Sequence, residues 1–387
     1  MITKLEKDNR DGNVTKIKRV LHIVSRTNRG GAETMIMNLY RNVNRSKVQF
    51  DFISHSNEKG DFDDEIRQMG GNIYYCPNIR KVGPVNYVIK LLNIIKKNGP
   101  FEAVHSHIDY LSGFGLLAAK LAKVKKRISH SHSSSWNTNE GIFNDISMYL
   151  LRGLIQSNAN ILCACSDEAF QFLFKPKDEE RIIIPNAINS DNFLNVNNEK
   201  VSNFKKELSI PEGAITIGLI GSFKHVKNHE FAIKIAQYFK QKGKEFRMVF
   251  VGDGELRSKY EDNVRALKLT KEVKFSGVRE DIPVVLKALD ILIMPSYYEG
   301  VPLTLIEAQA AGLPAIVSNG VTSDVDLGLG LVNFESLESD IEVWYQLILN
   351  KIKVEQPDNR YIQEKIAQAG YDVTISVEKI LKMYGID

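Results

Sequence analysis

The sequence predicts an α/β chain built as two doubly wound parallel-sheet domains of similar size. Three observations predict it. The length of 387 residues suits two domains at about 100–200 residues each. Short apolar runs alternate with stretches whose apolar residues recur at helical spacing, as in a parallel sheet covered on both faces. This alternation pauses in an Asn-, Asp- and Ser-rich stretch at 189–198 and then restarts. A content of 43% hydrophobic and 25% charged residues excludes a disordered, collagen-like or coiled-coil chain.

Taken in order, residues 20–25 (VLHIVS) read as a strand, Gly30–Gly31 as a loop, and the residues from Ala32 as a helix with Met35, Ile36, Leu39 and Tyr40 on one side. Strands follow at 48–53, 72–75, 103–106, 127–132, 160–165 and 181–184, and helices at 62–69, 84–97 and 111–124. The second half gives strands at 215–220, 246–251, 273–275, 291–294 and 315–318. Its helices are expected at 228–242, 256–267, 283–288 and 303–311. In such sheets ligands bind at the carboxyl ends of the strands, and with two domains that predicts a cleft between them.

Bulk features narrow the function. Cys76, Cys163 and Cys165 form neither a disulfide framework nor a zinc motif and read as small buried hydrophobes. The polar N-terminus lacks the apolar core of a signal peptide, and no run reaches the ~18 apolar residues of a membrane span. The net charge of +4 conceals an asymmetry. Residues 1–185 carry 27 Lys and Arg against 19 Asp and Glu (+8), and the remainder carries 24 against 28 (−4). The basic excess concentrates in Lys90, Lys96, Lys97, Lys120, Lys123, Lys125, Lys126 and Arg127. That group reads either as a solvated face or as a contact for anionic lipid headgroups; no nucleic-acid recognition module is visible.

The strongest local signal is PSYYEGVPLTLIE at 295–307. A strand ends at Pro295, a tight loop carries Glu299 and Gly300, and Pro302 fits the first turn of a helix. The N–H groups of Gly300, Val301 and Leu303 are then free for an anion, which the helix dipole favours. Glu307 follows about a turn later. Carboxylates beside an anion site suit a phosphorylated, hydroxyl-rich ligand such as a sugar nucleotide. Spacing alone equally allows Glu299 as a helix cap and Glu307 as a solvated residue.

Glu299 and Glu307, inside PS-x-x-EG-x-P-x-x-x-x-EA-x-x-x-G-x-P, resemble the hallmark of retaining glycosyltransferases of the two-Rossmann (GT-B) fold, family 4. GGAE at 30–33, His-Ser-His at 130–132, IPNA at 184–187, GSFKHVKNH at 221–229, VGDGE at 251–255 and FSG at 275–277 fall in that family's order. The resemblance covers the chain from about Arg19, and EGVPLTLIEAQAAGLPAIVS is especially similar to bacterial capsular and exopolysaccharide transferases. It implies that Glu307 accepts the ribose hydroxyls, Glu299 contacts the transferred sugar, and the backbone of Gly300, Val301, Pro302 and Leu303 lies against the donor, with amides of that stretch holding its phosphate and sugar hydroxyls. Lys227 would neutralise the diphosphate leaving group without a metal. Gly31 would bring its backbone close to the donor phosphate, although on its own the Gly30–Gly31 pair also reads as a plain turn. His132 is favoured over His130 as the cleft histidine.

One departure stands out. The family's arginine after Gly221 is here Ser222, which supplies neither charge nor fork; Lys224 is the candidate substitute. Ala187 replaces a glycine. The H-x-H pairs His105/His107 and His130/His132 invite a metal, but no carboxylate or cysteine pattern completes a site, so none is expected. Asp61-Phe62-Asp63 reads as an acidic helix start, and Gly252-Asp253-Gly254 lacks the third glycine of a dinucleotide fingerprint.

These readings imply a polar tail at 1–18, an acceptor-binding Rossmann-like domain at 19–185, a nucleotide-sugar-binding domain at 186–365, and a segment at 366–387 crossing back to the first domain. The expected function moves a sugar, with retention, from a UDP-sugar to a lipid-linked saccharide acceptor. It needs no cofactor and takes place in the cytoplasm, at the inner face of the cell membrane. The rivals are a sugar-nucleotide epimerase of the same fold, a donor-binding pseudo-enzyme, and a structural partner in a polysaccharide assembly complex.

Overall fold

Each apolar run pairs in parallel with its neighbours. In this computed structural model the described residues are 17–56, 58–133, 142–174 and 181–386; the expected tail lies outside them as far as residue 16. The chain divides into two units, residues 1–187 with 373–387, and residues 188–372. Both are Rossmann-like, as the alternation predicts.

The first unit holds β1 (Lys18–Val24), β2 (Val48–Ser54), β3 (Ile73–Tyr75), β4 (Ala103–Ser106), β5 (Lys126–Ser131), β6 (Ile161–Ala164) and β7 (Ile182–Ile183), in the order β3-β2-β1-β4-β5-β6-β7. One sheet face packs on the helices Gly31–Asn42 and Val373–Tyr384, the latter contributing Val377, Ile380 and Tyr384. The other face packs on Pro84–Asn98 and Ser112–Leu121. Gly83, with φ 76, and the Pro84 that follows it start the helix Pro84–Asn98 cleanly.

The second unit holds β8 (Ile215–Ile220), β9 (Phe246–Val251), β10 (Val273–Gly277), β11 (Ile291–Met294), β12 (Ala315–Ser318) and β13 (Val332–Glu335), in the order β10-β9-β8-β11-β12-β13. Its two faces bury separate apolar cores, one around Leu305 and Ile306, the other around Phe239 and Trp344. In both units the strand order reverses beside the first strand, between β1 and β4 and between β8 and β11. Loops leaving the carboxyl ends of these pairs diverge to opposite faces and leave a crevice for ligands.

Several boundaries differ from expectation. The stretch expected as a loop at 189–198 carries the short helix Asp191–Leu194 and the start of Asn198–Glu207, whose cap is Asn197. Pro302 stands before the helix Leu303–Ala310, with φ −71 and ψ 117, and not within its first turn. His132 lies one residue beyond β5, where the expected strand had included it. No described helix is long and apolar enough to cross a membrane.

The VGDGE segment has a structural reason for its glycines. Gly252, at φ 137, would set a β-carbon 2.1 Å from the Gly221 carbonyl oxygen. Gly254, at φ 157, would set one 2.8 Å from the Phe223 amide nitrogen. Phe223 in turn donates its amide to the Asp253 carbonyl at 2.9 Å, so the loops after β8 and β9 are pressed together. Gly252→Ala is expected to destabilise the protein by about 2–4 kcal/mol, read as a lowered urea midpoint at unchanged m-value.

Candidate active site

The loops after β8 and β11 carry most of the residues singled out above. The first begins at Gly221, over which the Lys227 side chain lies: a β-carbon there would sit 3.2 Å from Lys227 Cε. Lys227 closes the 3₁₀ turn His225–Lys227. Asn228 follows with φ 52, a left-handed conformation that asparagine tolerates, and caps the helix His229–Gln241 by accepting from the Phe231 amide. The sharp bend aims the lysine back across the strand ends.

The second loop is laced to its neighbours. Tyr297 donates its amide to the Val226 carbonyl at 2.8 Å, and Glu299 donates its amide to the Gly320 carbonyl at 2.9 Å. Gly320 admits this approach because a β-carbon there would meet the Tyr297 carbonyl oxygen at 2.2 Å. The Ser318 hydroxyl donates to the Ser296 carbonyl. Glu299 is thereby held against Lys227, whose Nζ lies 2.7 Å from its Oε1 in a mostly buried ion pair. The N–H groups of Gly300, Val301 and Leu303 make no backbone hydrogen bond among the described residues and stand at the start of the helix Leu303–Ala310. Glu307 lies one turn on, partly buried, and burial pushes its carboxyl up to about 7. One loop pair therefore gathers a cation, unbonded amides and two carboxyl groups.

Ser222 and Lys224 share the Lys227 loop, where the Lys224 amide donates to the Ser222 carbonyl at 2.8 Å; the Lys224 side chain is exposed. Sequence reasoning missed the exposed Tyr297, whose ring stacks on His225 at 5.0 Å. Its signal was the tyrosine pair inside PSYYEG.

The remaining predicted residues sit in the first unit. Gly31 opens the helix Gly31–Asn42, and the nearest atom to a β-carbon there is Asn186 Nδ2, at an ordinary 3.8 Å. Neither Gly30 nor Gly31 needs a positive φ, so the turn itself does not require glycine. A cavity of about 710 Å³ opens beside it, lined among others by Arg26, Arg29, Glu33, His107 and Asp109.

His132 donates its amide to Asp109 at 2.9 Å, and its Nε2 lies 2.9 Å from His107 Nδ1. Burial lowers its ring to about 4, against the opposing pull of Asp109. His130 is fully buried and bonds His105 at 3.2 Å. His22, on β1 and in register with His105, joins the four expected histidines; sequence reasoning missed it. In the DFD segment, Asp63 is buried and accepts from Thr27 and Tyr75, while Asp61 accepts the Arg29 amide at 3.1 Å. Arg127, grouped above with the free basic residues, donates instead to the carbonyls of Asn158 and Val124 at 2.8 and 2.9 Å.

Two Rossmann-like units, each a parallel sheet with helices on both faces, are the architecture of the GT-B class of glycosyltransferases. Comparison with known proteins refines that. The model of glycosyl transferases group 1 matches residues 200–325, and that of Glycosyltransferase Family 4 matches residues 29–192. A relative named as glycosyltransferase EpsF, from Bacillus subtilis (strain 168), is 42% identical over 95% of this chain and 97% of its own. The chain belongs to the family 4 glycosyltransferases.

The capsular polysaccharide biosynthesis glycosyltransferase CapH of Staphylococcus aureus is 29% identical over 78% of this chain and 81% of its own. An Escherichia coli UDP-Gal:alpha-D-GlcNAc-diphosphoundecaprenol alpha-1,3-galactosyltransferase is 28% identical over 63% of this chain and 64% of its own. Among solved structures, Anabaena HepE in complex with UDP-glucose superposes with a TM-score of 0.73 at 17% identity, covering 95% of this chain and all of that one. At that identity the likeness is one of fold.

The Glu307 carboxyl keeps its proton up to about pH 7 in the folded chain, whereas the ordinary value is 4.5. The folded state thus binds more protons across that window, and the free protein loses stability as pH rises through it. Glu307→Gln is expected to flatten this slope and to stabilise the free protein at about pH 8 by on the order of 1–3 kcal/mol, measured by urea unfolding at about pH 5 and about pH 8.

Proposed function

We propose that this protein is a retaining glycosyltransferase that moves a sugar from a UDP-sugar to a lipid-linked saccharide acceptor in cell-surface polysaccharide biosynthesis. The observation that carries the reading is the Lys227–Glu299 ion pair beside the unbonded amides of Gly300, Val301 and Leu303, with Glu307 one turn away. A diphosphate supplies the acceptor that the unbonded amides lack. Ribose hydroxyls donate to Glu307, the transferred sugar's hydroxyls take over Glu299, and Lys227 is released to the leaving phosphate. UDP and UDP-glucose in the HepE structures, and the diphosphoundecaprenol acceptor in the name of the Escherichia coli relative, support the donor and acceptor classes.

In the reaction the bond between the anomeric carbon and the phosphate oxygen breaks, and the acceptor oxygen bonds that carbon on the same face. The acceptor's proton passes to the departing phosphate. Lys227 and the amides stabilise the charge that builds on the diphosphate, so the step calls on no metal ion. The family resemblance assigns Gly31 to the donor phosphate and His132 to the donor sugar. Ser222 leaves the diphosphate one guanidinium short, and Lys224, exposed on the same loop, offsets part of that loss.

The acceptor's lipid calls for a membrane surface at the cytoplasmic side. The helix Pro84–Asn98 supports this reading. It exposes Val85 (71%) and Ile89 (49%), with Lys90, Lys96 and Lys97 along the same helix.

Nucleotide release and calorimetry with UDP-, GDP- and ADP-sugars test the reading. UDP-sugar binding is expected to tighten as pH rises towards about 7, with a proton released, because the ionised Glu307 accepts from two hydroxyls on both its oxygens and more strongly than the protonated carboxyl does. Lys227→Ala and Glu299→Ala are expected to lower turnover by at least ~100-fold, and Glu307→Ala to remove binding as well. Unimpaired binding and turnover in Glu307→Ala would refute the donor site, a new UDP-sugar formed without acceptor would mark an epimerase, and binding without product would mark a pseudo-enzyme. Vesicles containing anionic lipid should bind the protein in a salt-sensitive way. Lys96→Glu with Lys97→Glu should weaken that binding by on the order of tenfold or more, at about 1 kcal/mol for each lysine lost.

A further inference from the structure

Five histidines of the first unit form two hydrogen-bonded chains. In one, His22 Nδ1 lies 3.0 Å from His107 Nε2, and His107 Nδ1 lies 2.9 Å from His132 Nε2. In the other, His130 Nδ1 lies 3.2 Å from His105 Nε2, and His105 Nδ1 lies 2.7 Å from the Tyr384 hydroxyl. The rings stack across the chains, His130 and His132 with centroids 4.2 Å apart. Burial holds all five rings far below their usual pKa, so they are neutral at ordinary pH, the state in which imidazole binds metal.

A neutral imidazole has one proton and one lone pair. Whichever way the protons run, each chain ends on a ring nitrogen with nothing to bond. Three such atoms are buried without a partner, His22 Nε2, His130 Nε2 and His132 Nδ1. One ring nitrogen from each of His107, His130 and His132 lies within 4.8 Å of the others, and His107 lines the 710 Å³ cavity.

We propose that His107, His130 and His132 form a binding site for one borderline divalent metal ion of the Zn²⁺, Co²⁺ or Ni²⁺ class, with His22 and His105 as its orienting outer partners. Three imidazoles without a carboxylate select such ions over Mg²⁺ or Ca²⁺. The protons balance without release. With His107 Nδ1 and His132 Nε2 as ligands, the His107 proton sits on Nε2 and is donated to His22 Nδ1, and the His132 proton sits on Nδ1. His130 binds through its unpartnered Nε2 and donates from Nδ1 to His105, whose remaining proton is shared with Tyr384. Each ligand but His132 thus has a ring acceptor behind it, the arrangement that fixes a ligating histidine. The cavity gives the ion a route in and leaves a coordination position for water.

The glycosyl transfer proposed above uses no ion. The two readings meet only at His132, where an ion would occupy the ring assigned there to the transferred sugar. The test therefore reads binding and not turnover. The full chain, stripped with a chelator and desalted, is titrated with Zn²⁺ against a chromophoric competitor in excess Mg²⁺, and separately with Co²⁺ in the visible range. One equivalent per chain is expected, unaffected by Mg²⁺. The Co²⁺ form should show low-coordinate ligand-field bands and no thiolate charge-transfer band. His132→Ala, a change at a strand end, should abolish stoichiometric binding. His22→Phe should weaken it about 10- to 100-fold, with the apo protein's thermal midpoint compared to detect misfolding. Cys163→Ser should leave it unchanged, although His105, His130 and Cys163 are also close enough to share an ion. Absence of a stoichiometric ion in the unmodified chain, survival of binding in a correctly folded His132→Ala protein, or its loss in a correctly folded Cys163→Ser protein would each overturn the proposal.

Discussion

Parallel pairing of β8 with both β9 and β11 is the constraint on which the candidate donor site rests. All three strands end at the same edge, and the chain leaves β8 and β11 towards opposite faces because the strand order reverses between them. The loops that begin there cannot continue the sheet, so their amides and side chains point outwards. Gly221–Lys227 and the residues from Pro295 to Pro302 are those loops. The bond from the Tyr297 amide to the Val226 carbonyl ties them together before any ligand is present. A similar reversal beside β1 sets the cavity of the first unit next to Gly30 and His107.

Within the second unit, charge is handled locally and not by bulk. Residues 186–387 carry a net −4, an unfavourable setting for a diphosphate. Lys227 is mostly buried and paired with Glu299, so each neutralises the other in the free protein. A ligand with a phosphate on one side and hydroxyls on the other replaces both halves of the pair at once. A plain anion replaces only one and leaves Glu299 without its cation. On the function proposed above, the difference between the two ligands is the penalty for leaving a buried charge unpaired.

Much of this was legible in the sequence, and the rest failed for identifiable reasons. Strands such as β8 and β11 were readable because they are short apolar runs bounded by glycine or proline. Motif spacing and family resemblance together singled out Glu299 and Glu307, and resemblance alone Lys227, but the contact between Lys227 and Glu299 was not legible, since it depends on which strands neighbour one another. Pro302 was misjudged because proline's φ suits both a helical first turn and an extended cap, and only ψ separates them. The helix Ile142–Asn158 and all elements after β12 received no sequence assignment. His22 was hidden inside the apolar run VLHIVS; only the register His22 to His105 reveals that it faces another histidine.

The histidine cluster also bears on how the C-terminal helix is held. Val373–Tyr384 packs on the first unit's sheet through Val377, Ile380 and Tyr384, and the Tyr384 hydroxyl reaches His105. A wholly apolar residue at 384 would leave His105 Nδ1 without a partner, in a setting where neighbouring rings already have unsatisfied nitrogens. The tyrosine thus gives the helix a polar anchor at a fixed place on the sheet, which apolar packing alone does not specify. Lys18 adds a second tie from the other end of β1, donating to the Gly385 carbonyl at 3.1 Å. The residues that complete the first unit therefore follow the whole of the second unit in the chain, and of the histidine bonds only the one from His105 to Tyr384 depends on them.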